Sequence, residues 1–153
     1  MKEPKKHVNH MVFNVRNLDE AVRFYTEVVG MKVVMRFNDR KMAFLSFGEH
    51  LGDIRLFETG ATDEPDRQTD GFNHVAFAPE GGLDVLEQLH QRLIEKGAKI
   101  ERLEEFTGGR HKSIYFFDPD GNRLEFYWES DAWREEIADK VEAAFGVRPK
   151  LKG

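Results

Sequence analysis

The phrase Asn9-His10-Met11-Val12-Phe13 returns later in the chain as Asn73-His74-Val75-Ala76-Phe77, and the order of elements after each copy is the same. A chain that writes one supersecondary unit twice is constrained to fold as two copies of it, because neither copy alone buries its apolar face completely. After His10, alternating apolar residues predict a strand through Val15. Leu18, Ala21, Val22, Phe24, Tyr25, Val28 and Val29 then mark the apolar stripe of a helix, with Asn17 or Asp19 near the start and Gly30 at the stop. Strand-like runs follow at Lys32 to Phe37, Lys41 to Phe47 and Ile54 to Phe57. After His74 comes the same series: a strand through Phe77, then a helix presenting Leu83, Leu86, Leu89, Leu93 and Ile94 and closed by Gly97. Strands at Lys99 to Leu103, Lys112 to Phe117 and Arg123 to Trp128 complete it, the last two joined by Asp118-Pro119-Asp120-Gly121-Asn122.

Each unit therefore reads βαβββ. The expected fold class is α+β: two tandem βαβββ modules, residues 7–59 and 71–129, forming a cupped, mostly antiparallel sheet within a single domain 7–129. Residues 60–70, polar and containing Pro65, read as a linker. Beyond the second module, Trp133, Ile137, Val141, Ala144 and Phe145 predict an appended C-terminal helix over 130–147, capped by Ser130 or Asp131 and ended by Gly146. Such a stripe should cover apolar surface.

Composition narrows the function. The 153 residues include no cysteine, which excludes disulfides, thiolate ligands and iron–sulfur clusters and leaves His, Asp and Glu to hold any metal. A net charge of −5 argues against a nucleic-acid binder, and the basic residues near the ends, Arg148 among them, read as solvated termini. No apolar run suits a membrane span, and the charged start of the chain has no apolar signal region, so a cytoplasmic location is expected. The partner expected is a small-molecule substrate.

Two imidazoles on the equivalent first strands and one carboxylate on the last strand of the second unit, His10, His74 and Glu125, are the ingredients of a divalent-metal site with open coordination positions. Glu125 stands between Leu124 and Phe126, where a buried carboxylate without a cation would be costly. His7, His50 and His90 read as surface residues, and Phe13, Phe77, Phe117 and Trp128 as core.

This doubled unit, together with the stretch from Ser113 to Glu125, resembles the vicinal oxygen chelate superfamily over residues 8 to 129. That superfamily includes glyoxalase I, type I extradiol dioxygenases, fosfomycin-resistance proteins, methylmalonyl-CoA epimerase and bleomycin-binding proteins. The resemblance implies a metal held by His10, His74 and Glu125, with Fe(II) first, Mn(II) next, and Zn, Ni or Co accepted. It also implies a homodimer. Four-ligand members carry a further Glu or Gln where this chain aligns Leu56 or, with a shift of one residue, Arg55, so glyoxalase and epimerase activities are disfavoured. Glu58 or His50 would substitute only on a displaced strand.

Among three-ligand members, the extradiol branch leads. Tyr115 matches its tyrosine and the ending of its signature is complete, which implies a ring-cleaving dioxygenase for a catechol-like chelating substrate, with Tyr115 and His111 assisting. A histidine of that signature, expected around Phe106 to Gly108, is absent. The alternative is a fosfomycin-resistance-type thiol transferase or hydrolase. For it, Ser113 and Arg134 match, while Val12 and Glu105 depart, and Glu105 would repel an anion. Arg134 reads more simply as solvated. A further alternative is a non-catalytic small-molecule binding protein of bleomycin-resistance type, whose members lack the metal triad. The loop Gly108 to Lys112 reads as an exposed connection or as a contact for an anionic group.

Overall fold

The computed structural model of the protein describes residues 8–49, 53–63, 72–106 and 108–151. His7, His50 and most of the expected linker, 64–70, lie outside these residues. The elements are β1 (Met11–Val15), α1 (Leu18–Glu27), β2 (Lys32–Phe37), β3 (Met42–Ser46), β4 (Ile54–Glu58), β5 (Val75–Phe77), α2 (Leu83–Glu95), β6 (Lys99–Phe106), β7 (His111–Phe117), β8 (Arg123–Glu129) and α3 (Asp131–Phe145). The α+β reading holds, with βαβββ written twice and a C-terminal helix. The strands form two four-stranded sheets, ordered β1-β4-β3-β2 and β5-β8-β7-β6. In each, the first strand runs parallel to the last and the remaining neighbours are antiparallel.

Backbone contacts group the chain into two compact units, one of Met1–Thr69 with Asp118–Asn122 and one of Asp70–Phe117 with Arg123–Gly153. In unit 1, the side chain of Asn17 caps α1 by accepting from Glu20 N at 2.9 Å, which settles the choice against Asp19. The helix buries Leu18, Ala21 and Tyr25, and Ala43, Leu45, Ile54 and Leu56 of the sheet are fully buried beside Phe13 and Val15. Burying each large apolar side chain contributes about 1.5–3 kcal/mol.

The turn 118–122 belongs with unit 1. Asp118 gathers donors from Asp120 N (2.9 Å), Asn122 N (2.7 Å), Asn122 Nδ2 (2.8 Å) and the Tyr25 hydroxyl (2.8 Å). Burial pushes the Asp118 carboxyl above its usual range, against the pull of the bonds from Asn122 and Tyr25. Arg16 adds three contacts, from its backbone N and its Nε to Asp120 Oδ1 (2.8 and 3.0 Å) and from Nη2 to the Pro119 carbonyl (2.6 Å).

In unit 2, Leu86 and Leu93 of α2 are buried with Ile114, Phe116, Leu124 and Phe126. Leu83 and Ile94, expected on the buried face, are exposed instead: the helix contacts the sheet along a narrower stripe than its leucines span. A groove of about 490 Å³ opens between α2 and β6–β7, lined by Leu83, Leu86, His90, Leu103 and Ile114 among others. His90 is therefore part-buried rather than a plain surface residue. Of the four aromatics expected in the core, only Phe13 is fully buried; Phe77, Phe117 and Trp128 are half-buried, and the stacked Phe116 and Phe126 (ring centroids 4.7 Å apart) fill the centre of this unit.

Helix α3 is capped by Ser130, whose side chain accepts from Trp133 N, and Gly146 stops it with a left-handed φ of 68°. Its expected apolar stripe is rotated. Ala138 is its buried residue, whereas Ile137 and Phe145 are exposed, so the helix covers less apolar surface than its spacing suggests. Arg148 is not merely solvated: it folds back on the helix to Glu135, Asp139 (2.6 Å) and Glu142 (3.1 Å).

Candidate metal centre

In a strand, alternate side chains share a face, and antiparallel partners in register lie side by side on it. In unit 2, Tyr115 is in register with Glu125, Ser113 with Tyr127, and His111 with Glu129, which sets these six on one face of the β7–β8 ribbon. Ala76 of β5 is in register with Glu125, and His74, two residues earlier, sits just before that strand. The local sequence thus delivers an imidazole and a carboxylate to one place.

The two donors meet there: His74 Nε2 lies 2.9 Å from Glu125 Oε2, and the Glu125 side chain is 6% exposed. On the other ring nitrogen, Nδ1 is 2.6 Å from Asn73 Oδ1. With its N–H given to that carbonyl oxygen, Nδ1 leaves Nε2 carrying the lone pair. Nε2 and a carboxylate oxygen are then two acceptors face to face, which requires a shared positive charge between them, either a proton or a metal ion. Ser113 donates its hydroxyl to the other carboxylate oxygen, Oε1, and so fixes the plane of the Glu125 carboxylate. An imidazole backed by an amide oxygen and a carboxylate backed by a hydroxyl form the outer support that metal ligands need, and these residues fit a divalent ion.

His10 repeats half of the arrangement in unit 1, with Nδ1 2.7 Å from Asn9 Oδ1 just ahead of β1. The repeated asparagines were visible in the duplicated phrase but carry meaning only once these hydrogen bonds are seen. Within either unit, among the described residues, no three His, Asp or Glu side chains gather as a metal cluster. Two of the three expected ligands come together in unit 2, and the third belongs to unit 1.

Tyr115 stands at the ligand pair, its ring edge-on to His74 (centroids 5.4 Å apart, 84° between planes). Arg102 and Arg123 lie over its ring at 4.3 and 5.0 Å. Burial, then the charges of Glu125 and Glu104, push its phenol above the usual value, against a hydrogen bond with Ser113 and the charge of Arg102. The group is therefore a phenol, able to donate, across the physiological range.

His111 is placed elsewhere. It is four residues from Tyr115 on β7, about 13 Å at the rise of a strand, and its ring packs against Tyr127 (5.6 Å) and Trp133 (5.8 Å). The Tyr127 hydroxyl donates to Glu129 at 2.9 Å, and burial followed by that bond pushes its pKa up to about 12. Arg134, expected to be solvated, has a side chain only 17% exposed and turns toward Glu129 (3.6 Å) on the strand that carries Glu125. Glu105, expected to repel an anion, is paired with Lys112 at 2.9 Å.

Register resolves the fourth position. Val12 pairs with Arg55 as Ala76 pairs with Glu125, so Arg55, not Leu56, is the counterpart of Glu125 in unit 1. Glu58 is committed elsewhere, accepting from Leu18 N at 2.8 Å and from Lys41 Nζ at 3.1 Å.

A doubled βαβββ fold with a His just ahead of the first strand and a Glu on the last strand of the second unit agrees with comparison to known proteins. The profile of the Glyoxalase/Bleomycin resistance protein/Dioxygenase superfamily matches residues 7–126. The chain belongs to this superfamily. Metallothiol transferase FosB of Shouchella clausii is 36% identical over 124 residues, covering 78% of each chain. Glutathione transferase FosA of Serratia marcescens is 31% identical over 127 residues, covering 83% of this chain and 84% of the relative. Among solved structures, a glyoxylase/bleomycin resistance protein/dioxygenase domain from Frankia superposes with a TM-score of 0.67 at 27% identity, covering 83% of this chain and all of that one. Superfamily members are mostly enzymes and bind divalent metals. No helix among the described residues is long and apolar enough to cross a membrane.

Proposed function

We propose that the protein is a divalent-metal enzyme acting on a small anionic substrate that chelates the ion through neighbouring oxygens, with His10, His74 and Glu125 as the ligands. The observation that carries this reading is the 2.9 Å approach of His74 Nε2 to Glu125 Oε2, two groups whose outer atoms are already satisfied by Asn73 and Ser113. Fe(II) or Mn(II) suits a donor set of two imidazoles and a carboxylate, and when bound supplies Lewis-acid polarisation of the chelated oxygens.

The residues around the pair do the rest. Tyr115, held protonated by burial and by its acidic neighbours, donates to an oxygen that gains negative charge during reaction. Arg102 and Arg123 both pack over its ring. Pairing of Glu105 with Lys112 removes the repulsion expected against an anionic substrate group, and Arg134 of α3 turns toward Glu129 on the strand that carries Glu125. The first reading is accordingly thiol transfer or hydrolysis of the fosfomycin-resistance type, in keeping with the two Fos relatives. Ring cleavage of a catechol-like substrate is the second, favoured by Tyr115 edge-on to His74, with His111 placed to meet substrate remote from the ion rather than to move a proton at it. A homodimer and a cytoplasmic setting accompany both.

The test begins with anaerobic purification, elemental analysis and sedimentation of the metal-loaded protein. Fosfomycin is then supplied with a thiol or with water, and a panel of catechols with oxygen. Thiol adduct or hydrolysis product, lost in His74→Ala, supports the first reading; oxygen uptake lost in the same variant moves the assignment to the second. Failure to retain any divalent metal, with ligand binding indifferent to chelator, would replace both with sequestration.

A further inference from the structure

Asn73 can direct His74 only if its amide is held one way round. The oxygen and nitrogen of an amide are nearly isosteric; rotated by half a turn, Asn73 would present Nδ2–H to the ring and switch His74 to the tautomer protonated on Nε2. In that tautomer Nε2–H would donate to Glu125, and both prospective ligands would be consumed by a bond to each other.

Arg123 removes the ambiguity. Its Nη1 lies 3.1 Å from Asn73 Oδ1. A guanidinium only donates, so the atom facing it must be the amide oxygen. That same oxygen is 2.6 Å from His74 Nδ1, which must then be the donor. Arg123 is itself held: Nε and Nη2 form a two-point contact with Glu101 at 2.7 and 3.0 Å, and its side chain is 19% exposed. The equivalent register position in unit 1 is Asp53, which accepts from Phe47 N at 2.9 Å and offers no cation to Asn9. The lock is specific to the second unit.

We infer that Arg123 is a positioning residue for the metal centre: by donating to Asn73 Oδ1 it sets the tautomer of His74 and keeps the Nε2 lone pair directed at Glu125. The consequence for metal affinity rests on the function proposed above; the tautomer does not. Removing the lock should weaken metal binding on the order of 10–100-fold, the usual cost of losing a partner that orients a ligand.

The experiment uses the full chain labelled with ¹⁵N-histidine. Long-range ¹H–¹⁵N spectra of the metal-free protein report whether Nδ1 of His74 carries a proton, whichever of Nε2 and Glu125 Oε2 holds the proton between them, and Mn(II) affinity is measured separately. The wild type should show Nδ1–H at His74, and Arg123→Met should largely remove that proton from Nδ1, leaving the one between Nε2 and Glu125, and weaken Mn(II) binding. Adding Asn73→Asp to Arg123→Met should restore both, because a carboxylate can only accept. If Arg123→Met does not fold, Arg123→Gln takes its place, since an amide at 123 no longer distinguishes oxygen from nitrogen. A folded Arg123 variant that keeps Nδ1–H, or a double variant that folds without restoring it, overturns the inference. Loss of Nδ1–H in Arg123→Met, where the wild type binds no Mn(II), leaves the tautomer assignment standing and removes the metal reading.

Discussion

Arg55 occupies in the first sheet the register position that Glu125 occupies in the second. Its guanidinium lies 4.3 Å over the Phe44 ring, while its buried Nε has no hydrogen-bond partner among the described residues. Two effects oppose each other here. Losing the cation–π contact costs about 0.5–2 kcal/mol, and removing an unsatisfied buried donor returns about 1–3 kcal/mol. Arg55→Met should therefore change stability by less than about 1 kcal/mol in urea unfolding and leave the metal content per chain unchanged. A drop in metal content would show that Arg55 is coupled to the ion after all.

Ser113 is the hydroxyl behind Glu125. The residue is 3% exposed, so the bond lies in a buried setting. Ser113→Ala should cost about 1–3 kcal/mol of stability in the metal-free protein, the price of a buried charged acceptor losing its donor. It should also weaken metal binding roughly 10–100-fold, whereas Ser113→Thr should retain most of both. Calorimetric unfolding with and without metal, beside chelator competition, checks the two effects. An unchanged affinity in a folded Ser113→Ala protein would mean that Glu125 needs no orienting partner.

The doubled fold was legible because its signals are periodic and local: alternation for β1, a 3.6-residue stripe for α1, glycines at both helix ends. The pairing of His74 with Glu125 was legible because it follows from that repeat. What the sequence hid depends on partners across strands. In Ile54 to Phe57 a slip of one residue exchanges Arg55 for Leu56 on the site face, and only the pairing with β1 decides it. Arg123 and Asn73 are far apart in sequence and become meaningful through one shared oxygen. The exposed Leu83, Ile94 and Ile137 show that a helical apolar stripe gives a direction without giving the width or phase of the contact. The motif groups His111 with Tyr115, but the rise of an extended strand carries it away from Tyr115.

Tyr25 joins α1 to the turn at 118–122 through its hydrogen bond to Asp118, and both side chains are buried. Tyr25→Phe keeps the ring and removes one of four donors to that carboxylate. The expected loss is about 1.5–3 kcal/mol, the range for hydrogen bonds to charged groups, read from urea unfolding monitored in unit 1. Asp118→Asn should cost at least as much, because an amide cannot accept at both atoms where Oδ1 and Oδ2 now do. Indifference to Tyr25→Phe would show that the turn is held by Arg16 and its own internal bonds.

Glu58 and Asp118 should give stability opposite slopes in acid. The backbone N–H of Leu18, and next Lys41, hold the Glu58 carboxyl below its usual value. A lowered folded-state pKa means that stability from Glu58 is present above the ordinary glutamate value of about 4.3 and is lost as pH falls through the folded value. For Asp118, raised by burial, the contribution is present below the ordinary aspartate value of about 3.9 and is lost as pH rises through the folded value. Glu58→Gln keeps an oxygen for Leu18 N but removes the charge, and with it the first slope. The variant should be less stable than wild type near neutrality, with the gap closing as pH is lowered past the glutamate range. Urea midpoints at a series of pH values, compared between the two proteins, give the difference directly. A gap that stays constant across the acid range would assign the Glu58 effect to packing rather than to its charge.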